Sequence, residues 1–274
     1  MNHFVRIASE EMGYRWYTLR QQIGKSQRAD HKKILVNGSP KTGTTWMIRM
    51  LTSLPGYRAI GNFDGEIARY AGVQPGDVVH GHDPLTPELA TLLRDNGIKV
   101  VLTLRDPRDQ VVSRMYHFRR AASGRLHETF INMSNQDAIM ACIEGGPGIR
   151  SSLDLVELTR SWFNQPVDVA CVKYEDLLSD PVHELSQILD FLGLQVHPNL
   201  VRLIVQRNRF ERLAIGKKFW KAWRVAGQED PNSHFRKGIR GDWMNYFTPE
   251  HKQRFKEVAG SALIELGYES DFSW

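Results

Sequence analysis

The stretch GSPKTGTTW, Gly38 to Trp46, follows the apolar run Ile34–Val36. Gly38 and Gly43, with four residues between them, predict a strand, a tight loop and a helix. In such a turn the backbone N–H groups and the helix N-terminus together bind an anion. The loop that binds ATP or GTP carries its lysine directly after the second glycine. Here Thr44 occupies that position and Lys41 lies inside the loop, where it reaches the far end of a bound phosphate chain.

A second departure from the ATP-binding pattern lies further along the chain. The segment VVLTLRDP places Arg105 at a strand end, where an aspartate that holds Mg²⁺ is expected. Asp106 remains an alternative for that role. The two departures together favour a nucleotide that binds without Mg²⁺.

Strands and helices alternate in the pattern of an α/β protein. Four apolar runs have the length of buried strands, near 33–38, 77–81, 98–104 and 167–174. Helical patterns lie between and after them, at 44–54, 86–97, 109–122, 155–163 and 180–194. Continuous apolar strands that alternate with helices predict three layers, with a parallel sheet between the helices. Ligands of such sheets bind outside the carboxyl ends of the strands.

Composition narrows the class of protein. The 274 residues are 41% hydrophobic and 24% charged, as in ordinary globular proteins. We expect one domain over residues 1–274, with the glycine-rich loop at 144–148 as the alternative boundary between two halves. There is no run of about 18 apolar residues and no secretory signal pattern at the start, so neither a membrane span nor export is expected. Two cysteines make no disulfide framework, and a reducing cytoplasm is expected.

Positive charge is concentrated in one segment. Residues 207–240 contain ten lysines and arginines against three acidic residues, a local charge of +7, whereas the whole chain carries +5. A solvated basic face is one interpretation. Nucleic acid, an anionic membrane or a strongly anionic small ligand are the others.

Four motifs in order resemble one enzyme family. The loop at 38–46, RDPRDQVVSRMYHF at 105–118, YEDLLSDPVHELSQILDFLGL at 174–194 and FRKGIRGDW at 235–243 resemble the sulfotransferases that use 3′-phosphoadenosine 5′-phosphosulfate (PAPS). The resemblance runs from about Ile34 to about Thr248, and residues 1–30 carry no motif that can be placed. It implies the P-loop-containing, three-layer α/β sulfotransferase fold, PAPS as donor, adenosine 3′,5′-bisphosphate (PAP) as product, and no metal.

The resemblance also implies which residues hold the donor. By this resemblance, the 5′-phosphosulfate is bound by Lys41, Thr42, Gly43, Thr44 and Thr45. The resemblance also implies that Lys41 is catalytic, because it neutralises charge on the bridging oxygen. The remaining donor contacts are Trp46, Tyr174 and Phe210 for the adenine, and Arg105, Ser113, Arg236, Lys237 and Gly238 for the 3′-phosphate. The basic 207–240 segment then covers the donor. On the residues alone, Trp46 is more simply explained as a core residue, and a helix-capping network is an alternative explanation of the RDPRD stretch.

His82 matches the family's catalytic base, which takes the proton of the acceptor as it attacks sulfur. Family members that act on small phenols and steroids have a lysine where this chain has His80, so the role of His80 is open. A metal held by His80 and His82 is a further alternative. Asp83 makes the acceptor side more polar.

The acceptor is not identified by the sequence. The segment AIGNFDGEIARYAG at 59–72 supplies Phe63, Asp64, Glu66 and Tyr70 as candidate acceptor contacts, together with His80 and Asp83. A solvated helix start explains Asp64 and Glu66 equally well. We expect a hydroxyl or amine of a small, polar or cationic secondary metabolite, and neither nucleic acid nor membrane as partner. A Mg²⁺-dependent nucleotide or small-molecule kinase and a non-catalytic anion- or nucleic-acid-binding protein are the alternatives, and the oligomeric state is open.

Overall fold

The computed structural model describes residues 11–16, 31–121, 124–163, 166–215, 224–231 and 233–274. Most of the unassigned segment 1–30 lies outside these ranges. So do residues 216–223 and 232 of the basic 207–240 segment.

Five parallel strands form the sheet, in the order β2-β3-β1-β4-β5. They are β1 (Lys33–Asn37), β2 (Arg58–Asn62), β3 (Asp77–His80), β4 (Ile98–Leu104) and β5 (Val169–Lys173). The central strand β1 has neighbours on both sides, with Leu35 paired to Val79 on one and to Val100 on the other. The four predicted strands are confirmed. β2 was not predicted because it is an edge strand whose residues are mostly exposed.

Eleven α-helices are present in the described residues, and they account for every helical pattern read from the sequence. They are α1 (Thr44–Leu51), α2 (Pro87–Asp95), α3 (Pro107–Arg120), α4 (Arg125–Ile131), α5 (Asn135–Glu144), α6 (Ser152–Arg160), α7 (Tyr174–Ser179), α8 (Pro181–Phe191), α9 (Pro198–Arg207), α10 (Phe210–Ile215) and α11 (Pro249–Glu265), besides a helical stretch at 11–16. Two short 3₁₀-helices lie at Ile67–Gly72 and Asp242–Asn245. None of the helices in the described ranges is long and apolar enough to cross a bilayer.

Side chains of alternate strand residues pack on opposite faces of the sheet. Ile34 and Val36 pack with α1, α8 and α9, whereas Leu35 packs with α2 and Trp162. All three strand residues are fully buried. A third apolar cluster joins α3, α5 and α11 beyond the sheet. The three-layer α/β class is therefore confirmed.

Capping fixes where helices begin at the carboxyl edge of the sheet. Thr86, Asp106 and Asp180 each accept a hydrogen bond from a backbone N–H of the helix that follows, and each precedes a proline. A side-chain oxygen at the cap and proline in the first turn satisfy donors that would otherwise lack partners. Helix α3 therefore begins directly after β4, which leaves Arg105 at the turn between them.

The loop between β1 and α1 is packed against β4. The Thr42 hydroxyl donates to the Ser39 carbonyl at 2.8 Å and lies 2.7 Å from Thr103 Oγ1. A Cβ atom on Gly38 would lie 2.5 Å from the Thr103 carbonyl oxygen, so only glycine fits there. Lys41 has a positive φ of 77°, a strained conformation for a residue with a side chain.

We expect Gly38→Ala to lower the free energy of unfolding by about 1–3 kcal/mol, because the added methyl group must displace the Thr103 backbone. Gly72→Ala is the matched control, since a Cβ at that position meets no atom within 4 Å. Urea titration of both variants against the parent protein measures the difference. Equal midpoints for the two variants would contradict the close packing of the loop.

Candidate active site

A cleft of about 540 Å³ lies at the carboxyl ends of β1, β3 and β4. Fourteen of the residues predicted from the sequence line it: Lys41, Gly43, Thr44, Thr45, Trp46, His80, His82, Arg105, Ser113, Tyr174, Phe210, Arg236, Lys237 and Gly238. They come from seven separate parts of the chain. The fold therefore gathers the predicted donor residues and both histidines around one cavity.

Thr42 differs from the rest of its loop. Its side chain is buried, its hydroxyl bonds with Ser39 and Thr103, and it does not line the cleft. Thr42 can therefore contact a phosphosulfate only through its backbone N–H. Thr44 lines the cleft with its hydroxyl 3.1 Å from His80 Nε2.

Arg105 connects the loop with the end of β4. Its guanidinium donates to the Lys41 carbonyl at 3.2 Å and stacks 4.4 Å from the centre of the Tyr174 ring. The Arg105 side chain is about 10% exposed, and its Nε–H is buried without a hydrogen-bond partner among the described residues. A buried donor without a partner is costly, so a ligand oxygen at this position would be stabilised. The carboxylate of Asp109 is 3.9 Å away.

The segment from residue 233 to 243, which we call the cover segment, is held in place by two carboxylates. Asp109 on α3 accepts hydrogen bonds from the backbone N–H groups of Gly241 (2.7 Å) and Trp243 (2.9 Å). Asp242 binds Lys237 at 2.7 Å and also pairs with Arg236. Burial alone would raise the pKa of Asp242, but the contacts with Lys237 and Arg236 outweigh it and lower the pKa. Both predicted phosphate-binding cations are thereby positioned at the cleft.

Three aromatic rings also line the cleft. The Trp46 indole donates to the Asn208 carbonyl at 2.8 Å and meets the Tyr174 ring edge-on, with centroids 6.0 Å apart. The Phe210 ring lies so close to Gly238 that a Cβ there would be 2.3 Å from it. Trp46 both packs on the core and lines the cleft, so the two interpretations of this residue are compatible.

His82 is oriented by the loop it faces. Its Nδ1 lies 2.5 Å from the Gly38 carbonyl oxygen, which only accepts hydrogen bonds, so Nδ1 carries the proton. The other nitrogen, Nε2, is then the basic one. The backbone N–H of His82 donates to the Asp64 carboxylate. Burial lowers the pKa of His82, so the imidazole is neutral at pH 7 and able to accept a proton.

His80 is the immediate neighbour of His82, with ring centroids 4.5 Å apart. Burial, and then the proximity of His82, lower the pKa of His80 to about 4. No group of three or more metal-binding side chains occurs in the part of the chain that the structure describes.

Lys41 is in an unusual electrostatic environment for a lysine. Burial, followed by repulsion from Arg120 and Arg105, lowers its pKa to about 7. A bound anion would reverse this effect, because a negative charge beside the ammonium favours the protonated form.

Of the predicted acceptor residues, only His80 lines the cleft. Phe63 and Tyr70 are buried in the core, where their rings are 5.3 Å apart, and neither lines the cleft. Aromatic residues near a site are more often packing residues, and here they anchor the 67–72 turn. Asp64 holds the His82 backbone, and Glu66 pairs with Arg69 at 2.9 Å on the surface. Asp83 accepts a hydrogen bond from the Gly65 N–H at 2.9 Å and also lies outside the cleft lining.

Other residues that line the cleft were not predicted. The polar and basic ones are Asn62, Arg114, His117, Arg150 and His234, and the apolar ones include Phe118, Leu155, Leu178, Leu213, Phe235 and Ile239. His117 was accessible to sequence reasoning because it lies one helical turn after Ser113 on α3. Arg150 and His234 lie in loops, and only the tertiary structure brings them to the cleft.

Comparison with known proteins places the chain among sulfotransferases. Residues 31–267 match the family model described as Sulfotransferase domain. Flavonol sulfotransferase-like of Flaveria bidentis is 24% identical over 89% of this chain and 85% of its own length. Sulfotransferase 1A1 of Mus musculus is 28% identical over 81% of both chains. A mouse sulfotransferase solved with PAP shares the fold, with a TM-score of 0.63, 21% identity, and coverage of 89% of this chain and 88% of that one.

The two hydrogen bonds of Asp109 yield a prediction for the cover segment. We expect Asp109→Ala to lower the free energy of unfolding by about 1–3 kcal/mol for each buried N–H left without a partner. Hydrogen exchange at the Gly241 and Trp243 amides should become faster. Asp95→Ala, at an exposed helix end, is the control and should change the stability by less than about 0.5 kcal/mol. Unchanged exchange at both amides would show that Asp109 does not hold the segment.

Proposed function

Since the chain belongs to the sulfotransferase family, we propose that it transfers the sulfuryl group of PAPS to a hydroxyl or amine of a small molecule. The observation that carries this proposal is the gathering of Lys41, Arg105 and His82 around one cleft. No aspartate or glutamate among the described residues lines that cleft. A strongly anionic donor fits such a lining.

The donor residues of this chain fit both ends of PAPS. At the 5′ end, the loop presents backbone N–H groups, the start of α1 and the Lys41 ammonium. At the 3′ end we place Arg105, Ser113 and the Arg236–Lys237–Gly238 stretch, with the unpartnered Nε–H of Arg105 toward a phosphate oxygen. Guanidinium groups suit a phosphate because they offer paired donors and keep their charge. The adenine then lies with Trp46, Tyr174 and Phe210.

In the transfer step, the acceptor oxygen or nitrogen forms a bond to sulfur while the bond from sulfur to the 5′-phosphate oxygen breaks. His82 Nε2 takes the acceptor's proton, and the Gly38 carbonyl stabilises the resulting imidazolium through Nδ1–H. Lys41 neutralises the negative charge that grows on the leaving phosphate oxygen. By analogy with phosphoryl transfer, positioning and charge stabilisation supply most of the rate enhancement. His80 is neutral at pH 7 and holds Thr44, so we assign it a positioning role.

Neither a kinase nor a non-catalytic anion- or nucleic-acid-binding protein is favoured. A kinase requires a lysine after the second glycine, where this chain has Thr44. Arg236 and Lys237 of the cover segment line a concave cleft and pair with Asp242. A surface that binds nucleic acid instead presents its cations outward. We also propose a cytoplasmic location, in keeping with two unpaired cysteines and with the name of one relative, Cytosolic sulfotransferase 3 of Arabidopsis thaliana.

Relatives support a small organic acceptor without identifying it. Two are named for flavonols, and a retinol dehydratase of the same fold was solved with retinol. The expectation of a cationic acceptor is not supported by the cleft, because Asp64, Glu66 and Asp83 do not line it.

Replacing the base tests the reaction. We expect His82→Asn to reduce the rate of ³⁵S transfer from PAPS by about 10²–10⁴-fold, because proton removal is lost, while PAP still binds. His183→Asn, an exposed histidine of α8, is the control and should transfer at the parent rate. Transfer by His82→Asn at the parent rate would contradict the assignment of the base.

The lowered pKa of Lys41 yields a prediction on pH. Without donor this lysine loses its proton as the pH rises through about 7, and a bound anion raises its pKa. PAPS or PAP binding should therefore take up a proton above pH 7, and the affinity should fall as the pH rises from 7 to 9. Calorimetry in two buffers of different ionisation enthalpy measures the uptake, which Lys41→Met should reduce and Lys33→Met should not. Equal uptake in Lys41→Met and the parent would show that another group takes the proton.

A further inference from the structure

The arginines and imidazoles that line the cleft exceed those that the donor uses. After Lys41, Arg105, Arg236 and Lys237 are assigned to PAPS, the lining still contains Arg114, His117, Arg150 and His234. Arg114 is buried and bonds with the carbonyls of Cys142 and Arg150, which explains it as a structural residue. The other three have no such explanation.

His117 and His234 are held as a pair by one arginine. Arg120 Nη2 lies 3.1 Å from His117 Nδ1 and 3.4 Å from His234 Nδ1. A guanidinium only donates, so both Nδ1 atoms accept and each imidazole carries its proton on Nε2. Neither Nε2–H has a hydrogen-bond partner among the residues that the structure describes. Arg120 also donates to the Ser233 carbonyl at 2.9 Å, so this cluster joins α3 to the cover segment.

The cluster lacks a counter-charge. Arg120 contacts a carbonyl and two imidazoles, but no carboxylate in the described ranges. Burial, followed by the charges of Lys41 and Arg120, lowers the pKa of both histidines and keeps them neutral. Buried or half-buried cations are ordinarily paired, so this arrangement indicates an anionic group supplied by a ligand.

Arg150 places a further positive charge near the base. It lines the cleft, is exposed, and acts on both His82 and Asp83. Its backbone carbonyl accepts from Arg114, but its guanidinium forms no ion pair or hydrogen bond with any described residue. His117 and Arg150 therefore both lie near His82 in the lining of the cleft.

We propose that the acceptor carries an acidic group, a carboxylate, sulfate or phosphate, besides the hydroxyl or amine that is sulfated. The Nε2–H groups of His117 and His234, supported by Arg120, hold this group, and Arg150 attracts it to the cleft. The proposal rests on the sulfotransferase function above and names the class of its acceptor.

Three probes of equal size test the charge of the acceptor: 4-hydroxybenzoate, 4-hydroxybenzamide and 4-hydroxybenzylamine. Their affinity is measured on protein saturated with PAP. We expect the carboxylate to bind about tenfold more tightly than the amide, and the amine to bind least. Arg120→Met and His117→Phe should abolish the preference for the carboxylate. Arg202→Met, which removes an equal charge outside the cleft, should retain it.

A second comparison separates the two sources of an oxyanion. If the cluster holds the sulfuryl oxygens of the donor instead, Arg120→Met weakens PAPS but not PAP, and the proposal is overturned. It is also overturned if the three probes bind equally, if none binds, or if Arg120→Met affects all three alike. Failure of the parent protein to bind PAP is a different result, which rejects the sulfotransferase function itself.

Discussion

The close approach of the loop after β1 to the end of β4 is the constraint on which the rest of the site depends. Gly38 lies against the Thr103 backbone with no room for a side chain. That approach buries the Thr42 hydroxyl between Ser39 and Thr103 and brings the Lys41 carbonyl to Arg105. It also leaves the Gly38 carbonyl facing His82 Nδ1. One short loop therefore positions Arg105 and the Lys41 backbone and sets the tautomer of His82, three groups on which the proposed transfer depends.

The positive charges that line the cleft are not matched by acidic residues in its lining. Asp109 and Asp242 hold the cover segment and its cations, but they do so from behind the cleft, and no described carboxylate lines it. Burial, followed by repulsion from Arg120 and Arg105, lowers the pKa of Lys41 to about 7. Burial of like charges is unfavourable, so a bound ligand with several negative charges would reduce the repulsion among the cations of the cleft.

Sequence patterns predicted the elements that have a strong local signal. Strand β4 was located over 98–104 because all its residues are apolar or β-branched apart from Lys99. Helix α3 was predicted from the helical pattern at 109–122, and its Asp106 cap and Pro107 make it begin two residues earlier. β2 was missed because an exposed edge strand has no continuous apolar run. The residues predicted for the donor lie in contiguous motifs, and all of them except Thr42 line the cleft. The rest of the lining was not predicted, since Phe63 and Tyr70 are buried in the core while Arg150 and His234 come from distant loops. Spacing along the chain carries no information about such contacts.

The central claim is that this cleft binds a 3′-phosphorylated adenosine nucleotide without Mg²⁺, and calorimetric titration with PAP tests it most directly. The titration is run with Mg²⁺ and with a chelator, on the parent protein and Arg105→Ala, with ATP as the competing ligand. We expect tight binding of PAP that is equal in both buffers, is weakened at least tenfold in Arg105→Ala, and exceeds the binding of ATP. Preference for ATP that depends on Mg²⁺, or no binding of PAP, would contradict the claim.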